Sequence, residues 1–367
     1  MSYIKSPAKY LQLLLPIFNT KRTKEIFRVN PTLIPLREEA KEVKVYVYDY
    51  NATEIYEHDL QNVNDCSTFR LNNNISWINV DGLRKQDVEF LCNEFRIHPL
   101  LMEDILSIGQ RPKMDEVDEV LFCLMNMLYF NSKTGSVEQE QISIVLGKNF
   151  VISFQEDATR DVFDPLREKL KVLNTRLRNG SADYLCYNMI DLIVDNYYTT
   201  LEQLGEMIEQ LEEEIIKYGN TRSLARINGL RKELIVLKRN IGPVREVVNG
   251  FIRTESDLME ERNIKYFKDI YDHIVQANDL VENYRDMMMN LQDLYLNKVN
   301  LRMNEVMKVM TIVTCLLAPA TVIGGIFGMN FETIPYLHNQ YGFFIAVGLM
   351  LLIPLWMVWV FRKRGWF

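Results

Sequence analysis

Between Val309 and Phe331 no side chain carries a formal charge, yet the run is not uniformly apolar. Asn304, Met307, Met310 or Thr311, Thr314, Ala318, Thr321, Gly325 and Gly328 recur at three- and four-residue steps, which aligns them along one stripe of a helix. Small and weakly polar side chains on one face suit two arrangements: close packing against another helix, or a water-lined path made by several copies. The stripe ends at Gly328-Met329-Asn330. The Asn330 carboxamide and nearby backbone carbonyls are neutral oxygen acceptors, the donor set for a divalent cation that dehydrates reluctantly and keeps several waters. Upstream, Asp293 lies about one heptad before Asn300, where a ring of carboxylates would concentrate cations.

Other acids and the histidine carry less by themselves. The Glu212-Glu213-Glu214 run is most simply a polar helix face. His273 follows Asp269 by one helical turn; it suits a transition-metal site or, with only one histidine to offer, a packed or exposed position. The formal net charge of −7 argues against a nucleic-acid partner and favours cations. Five cysteines, with no C-x-x-C pair, fit neither a disulfide framework nor a zinc module. The chain has no P-loop, no G-x-S-x-G, no H-E-x-x-H and no dinucleotide fingerprint, so an enzyme is not expected.

The elements that must position these residues follow from periodicity. Residues 1–42 form an N-terminal segment in which Tyr10 to Phe18 is apolar but short, is interrupted by Gln12 and leads to Lys21, Arg22 and Lys24 without a cleavage site. It is expected to stay cytoplasmic. Residues 43–180 read as an α/β domain. Val43 to Tyr48 alternates like a strand, Ser76 to Val80 forms another before Asp81-Gly82, and Gln86 to Leu106 reads as helix. Gly147-Lys148 turns a hairpin between Ile142–Leu146 and Phe150–Phe154. Residues 181–263 form a helical hairpin, its first helix carrying Glu202, Glu206, Glu209 and Glu213 on one face and Gly219-Asn220 ending it. In the second helix Pro243 is expected to bend or interrupt the chain.

From Ile264 there is no proline until Pro319, so residues 264–308 form a stalk that continues into a first span at 309–330, a helix of about 60 residues and about 90 Å. A loop at 331–340 leads to a second span at 341–361 and a basic tail at 362–367. Lys298, Arg302 and Lys308 before the first span, and Arg362, Lys363 and Arg364 after the second, set both chain ends in the cytoplasm. Two spans cannot enclose a pore alone, so conduction requires an oligomer with the stripe facing its axis.

Asn304-Glu-Val-Met-Lys-Val-Met-Thr311, then Gly324-Gly-Ile-Phe-Gly-Met-Asn-Phe-Glu332, then Pro335 and a second span together resemble the CorA family of magnesium channels, whose hallmark is Gly-Met-Asn closing the first of two C-terminal spans. The likeness extends to Gln110-Arg-Pro-Lys113, Asp164-Pro-Leu-Arg167, Pro243-Val-Arg-Glu246 and Tyr266 to His273. The resemblance implies an α+β membrane protein with an N-terminal cytoplasmic α/β domain, a long helical stalk and two C-terminal transmembrane helices, assembled as a homopentameric funnel in the plasma (inner) membrane with Asn330 ringing its outer mouth. It implies Mg2+ as cargo, with Co2+ or Ni2+ also admitted, and a hydrophobic gate at Met307 and Met310. Ala318 stands where relatives carry a bulkier apolar residue. The resemblance also places regulatory Mg2+ between subunits at Asp104 and Asp269, with Glu103 and Asp191 nearby: opposed carboxylates repel until a divalent ion sits between them.

Two rivals stand beside this reading. One is the zinc-transporting branch of the same superfamily, against which Met329 and Glu332 weigh. The other is a two-span anchored signalling or scaffold protein, for which Asn330 would be dispensable.

Overall fold

The computed structural model describes residues 39–70, 73–157, 162–329 and 341–366. Expectations placed on Tyr10 to Phe18, on Asn330 and on the loop with Glu332 and Pro335 lie outside the described residues. The chain divides into two units. One comprises residues up to Glu214 together with Asn220–Leu291, the other Ile215–Gly219 and Gln292 onward.

The first unit is built on seven strands: β1 (Lys44–Tyr50), β2 (Ile55–Leu60), β3 (Ile75–Asp81), β4 (Lys113–Val117), β5 (Val120–Asn131), β6 (Ser136–Leu146) and β7 (Phe150–Gln155). They form one sheet in the order β2-β1-β3-β7-β6-β5-β4. Every pairing is antiparallel except β3 with β7. The hairpin at Gly147-Lys148 is β6–β7, closed by Gly147 N–H donating to the Phe150 carbonyl at 2.9 Å.

Alternation sends neighbouring strand residues to opposite faces. Ile78, Val80, Ile152, Phe154, Phe122 and Leu124 form one buried cluster with Val88, Leu91, Leu101 and Ile105 of α1 (Lys85–Glu94) and α2 (Pro99–Leu106). On the other side Trp77 meets Phe163 edge-on at 5.8 Å, and the Arg167 guanidinium of α3 (Asp164–Lys171) lies 5.3 Å over its ring.

Gln86 to Leu106 is two helices rather than one. Arg96 takes a positive φ of 54°, and Pro99 excludes its predecessor from helical geometry; His98 therefore sits extended and caps α2 by accepting from Leu100 N–H at 3.2 Å. The short edge strands β2 and β4 have no clean apolar alternation and were not expected. Their half-exposed residues, such as Glu57 and His58, show why.

The hairpin is α4 (Ala182–Lys217) and α5 (Thr221–Arg253). Asn220 caps α5 by accepting from Ser223 N–H at 3.1 Å, and Glu214 accepts from Ser223 and pairs with Arg226. Pro243 does not interrupt α5. Buried Ile241, Val244, Val247, Val248 and Phe251 hold the turns on both sides of it, so tertiary packing overrides the lost backbone bond. Both helices are tied to the sheet: Tyr197 donates to the Asn126 carbonyl at 2.8 Å, and Asn126 Nδ2 donates to Asn240 Oδ1 at 2.8 Å.

One helix, α6 (Ile264–Phe327), runs for 64 residues. Phe267, Ile270, Ile274, Ala277, Val281, Met288 and Leu291 are buried at three-, four- and seven-residue steps, a continuous apolar seam within the first unit. In the second unit the same helix and α7 (Gly342–Lys363) are long and apolar enough to cross a membrane.

Candidate ion path and regulatory acids

In the span of α6, burial is confined to one side. Ile312 is buried, and Cys315, Leu316, Pro319, Ala320 and Ile323 are partly covered. On α7, Gly342, Ile345, Ala346 and Leu349 line an apolar cavity with Ile323, Ile326 and Phe327. Asn304, Met307, Met310, Thr311, Thr314, Ala318, Thr321, Gly325, Gly328 and Met329 are all exposed. At about 100° per residue, Thr314, Thr321 and Gly325 each follow a covered residue, Ile312, Pro319 and Ile323, by two positions and so point about 200° away. The chain thus covers one side of the span and leaves the polar stripe open.

The threonines are arranged for acceptance. Thr311 Oγ1 donates to the Met307 carbonyl at 2.8 Å, Thr314 to Met310 at 2.8 Å and Thr321 to Leu317 at 3.0 Å. Each hydroxyl proton is committed to its own helix, so its oxygen lone pairs remain for water or a cation. Met307 and Met310, 60% and 63% exposed, set an apolar belt one turn below. Asp293 is exposed further toward the helix N-terminus, 14 residues before Met307 and therefore on the same stripe.

The expected regulatory acids fall in two places. Glu103 and Asp104 stand on the last turn of α2, Glu103 exposed and Asp104 partly covered. Lys113 Nζ lies 2.6 Å from Asp104 Oδ2. Asp191 on α4 and Asp269 on α6 form the second place. Asp191, Asp195 and His273 offer ligand atoms all within 4.8 Å of one another, a set able to hold a metal ion. Burial first, then the Asp195 charge, raises the Asp191 carboxyl above the ordinary carboxylate range, and the charge of Asp269 adds to this. Tyr187 donates to Asp191 Oδ2 at 3.4 Å. His273 Nδ1 is buried without a hydrogen-bond partner, while its carbonyl accepts from Tyr198 at 2.7 Å.

Asp195 and the pairing of Lys113 with Asp104 were not expected. Asp191 and Asp195 do stand at i, i+4, a legible helical pair. Nothing in the spacing of Lys113 could have found its partner, since the α2–β4 turn brings the two together.

Residues 72–363 match the family described as CorA-like Mg2+ transporter protein. The chain is 37% identical over 336 residues to a protein named cobalt/magnesium transport protein CorA from Thermotoga maritima, covering 91% of this chain and 95% of that one. The solved CorA magnesium transporter of Methanocaldococcus jannaschii superposes with a TM-score of 0.74 at 22% identity, covering 89% of this chain and all of that one. The ZntB cytoplasmic domain of Vibrio parahaemolyticus superposes with a TM-score of 0.54 at 14% identity over 70% of this chain and 98% of that one. At such identities these structures establish the fold alone.

Proposed function

The chain belongs to the CorA-like Mg2+ transporter family, and from that premise we propose that it is a magnesium channel mediating divalent cation influx, with Co2+ and Ni2+ as further cargo. The observation that carries this is the open stripe: the second span packs against one side of α6 and leaves the side bearing Thr311, Thr314, Thr321 and Gly325 for other copies. Five such faces around an axis would enclose a hydrated ion among hydroxyl oxygens, with Asn330 of each chain at the mouth and Met307 and Met310 as the apolar gate. The domain boundaries at residues 43, 181, 264, 309, 331 and 341, and a multi-pass plasma (inner) membrane placement with both termini cytoplasmic, belong to the same reading.

In this reading Mg2+ is also the regulator. Asp104 of one subunit would face Asp269 of its neighbour, with Glu103 and Asp191 beside them, and bound Mg2+ would cancel their repulsion and hold the closed arrangement. Loss of cytoplasmic Mg2+ would free the stalks and hydrate the gate.

Flux into liposomes tests the transport reading. Purified chain should admit Mg2+, and Asn330→Ala should abolish uptake while the oligomer survives. Zinc uptake without magnesium uptake would move the chain to the zinc branch. Intact function in Asn330→Ala would favour a membrane-anchored scaffold.

A further inference from the structure

We propose that Lys113 is a tethered competitor for the regulatory divalent cation, its ammonium bridging Asp104 and Asp115 until the ion displaces it from Asp104 and leaves it on Asp115 alone. This rests on the reading of Asp104 as a regulatory ligand.

The geometry provides two seats for one cation. Lys113 Nζ is 2.6 Å from Asp104 Oδ2 and 3.1 Å from Asp115 Oδ2. Lys113 opens β4 and Asp115 lies two residues on, hence on the same face of the strand. The ammonium bridges the two carboxylates, so leaving Asp104 keeps its contact with Asp115. A lysine suits this exchange, being a compact charge with rotatable donors on a flexible stem.

The seats are unequal. The Asp104 side chain is 15% exposed and that of Asp115 is 40% exposed, so the first pair is the less screened by water. Asp104 is also fixed in place: its carbonyl accepts from Gln141 Nε2 of β6 at 3.1 Å, and Ser107 closes the helix end by donating to Glu103 at 2.7 Å. Burial acts to lower the Lys113 pKa, but the hydrogen bonds to Asp104 and Asp115 outweigh it and raise it, so the ammonium stays charged.

A magnesium ion at Asp104 needs that carboxylate ionised and free of a competing cation. With the ammonium at 2.6 Å, the Asp104 charge is already answered, and an arriving divalent ion is repelled by it until Lys113 withdraws. The exchange subtracts from metal affinity. A regulatory site must empty when cytoplasmic Mg2+ falls, and the lysine weakens the site without removing a ligand. It also satisfies Asp104 in the empty state, which spares the subunit an unpaired, partly buried carboxylate.

Opposite shifts from two variants test this. The readout is the Mg2+ concentration that half-maximally raises the melting midpoint of the full chain in detergent, a linkage measurement of binding. Lys113→Met should lower that concentration by about 3- to 10-fold, the scale of a partly exposed ion pair. Asp115→Asn should raise it, because Lys113 loses its second seat. In an Asp104→Asn background, Lys113→Met should change nothing further. If Asp104→Asn and Asp269→Asn remove the response while Lys113→Met and Asp115→Asn leave the midpoint within about twofold, the competitor role is overturned and the regulatory site stands. If Asp104→Asn and Asp269→Asn leave the response unchanged, the regulatory reading fails and the lysine proposal with it.

Discussion

Glu140 is 4% exposed, yet it lies in a sheet whose neighbours are apolar. Its Oε1 accepts from the backbone N–H groups of Glu156 at 3.1 Å and Asp157 at 2.9 Å, pinning the end of β7, and Tyr129 donates to Oε2 at 3.3 Å. Burial outweighs those bonds and pushes the carboxyl from 4.5 up to about 7. The folded chain therefore holds a proton that the unfolded chain has lost between those values. Stability from this group is present in full below about pH 4.5 and is lost as pH rises through about 7, by up to about 3 kcal/mol. Glu140→Gln keeps an acceptor oxygen and removes the ionisation. Melting midpoints of the full chain in detergent from pH 5 to 8 should fall less steeply in the variant than in the parent; equal slopes would show that Glu140 is not the titrating group. Such a residue is hard to find in sequence, because the strand legible there, Ile142–Leu146, stops short of Glu140, and only the sheet register places this acid against the end of β7.

At the scale of elements, legibility tracked the strength of the periodic signal. The polar stripe of α6 is visible as three- and four-residue steps, because a long helix repeats its pattern many times, and the length of α6 is visible in the absence of proline before Pro319. The break at Arg96 to His98 and the continuity at Pro243 were not visible, because each is decided by packing or a single dihedral angle. Aspects of the site that depend on one helix, such as Thr311, Thr314 and Thr321 sharing a face, were legible. Those that depend on two elements, such as Asp104 with Lys113 or Asp191 with His273, needed the fold. The proposed gate belongs to this scale too. Met307 and Met310 are one turn apart, exposed on the stripe, and a ring of thioethers resists wetting where threonines do not. Met307→Ser should raise Mg2+ flux into liposomes under closing, millimolar internal Mg2+ by roughly 3- to 10-fold, the effect of about 1 kcal/mol on the open population. Unchanged flux under those conditions would remove Met307 from the gate.

For the whole molecule, the exposed faces of the two spans bear on assembly. From Leu296 to Met329 the helix exposes Met303, Val306, Val309, Val313, Leu317, Val322 and Ile326 beside the polar stripe, and α7 exposes Phe343, Phe344, Leu351, Leu352, Leu355 and Trp356. Lipid accommodates α7 and the flanks of α6, but a stripe with threonine oxygens and two glycines gains nothing from hydrocarbon. Copies of the chain are the natural cover, because a rotational assembly gives every stripe the same aqueous axis. The axis must also hold a cation with its waters, which two or three helices cannot surround while keeping their side chains apart. Native mass measurement in detergent should give more than three times the chain mass, with five the number that the CorA resemblance implies, and Asn330→Ala should leave that mass unchanged if this residue serves the ion rather than the assembly. A monomer or dimer as the stable species would remove the axis, and with it the meaning of the stripe.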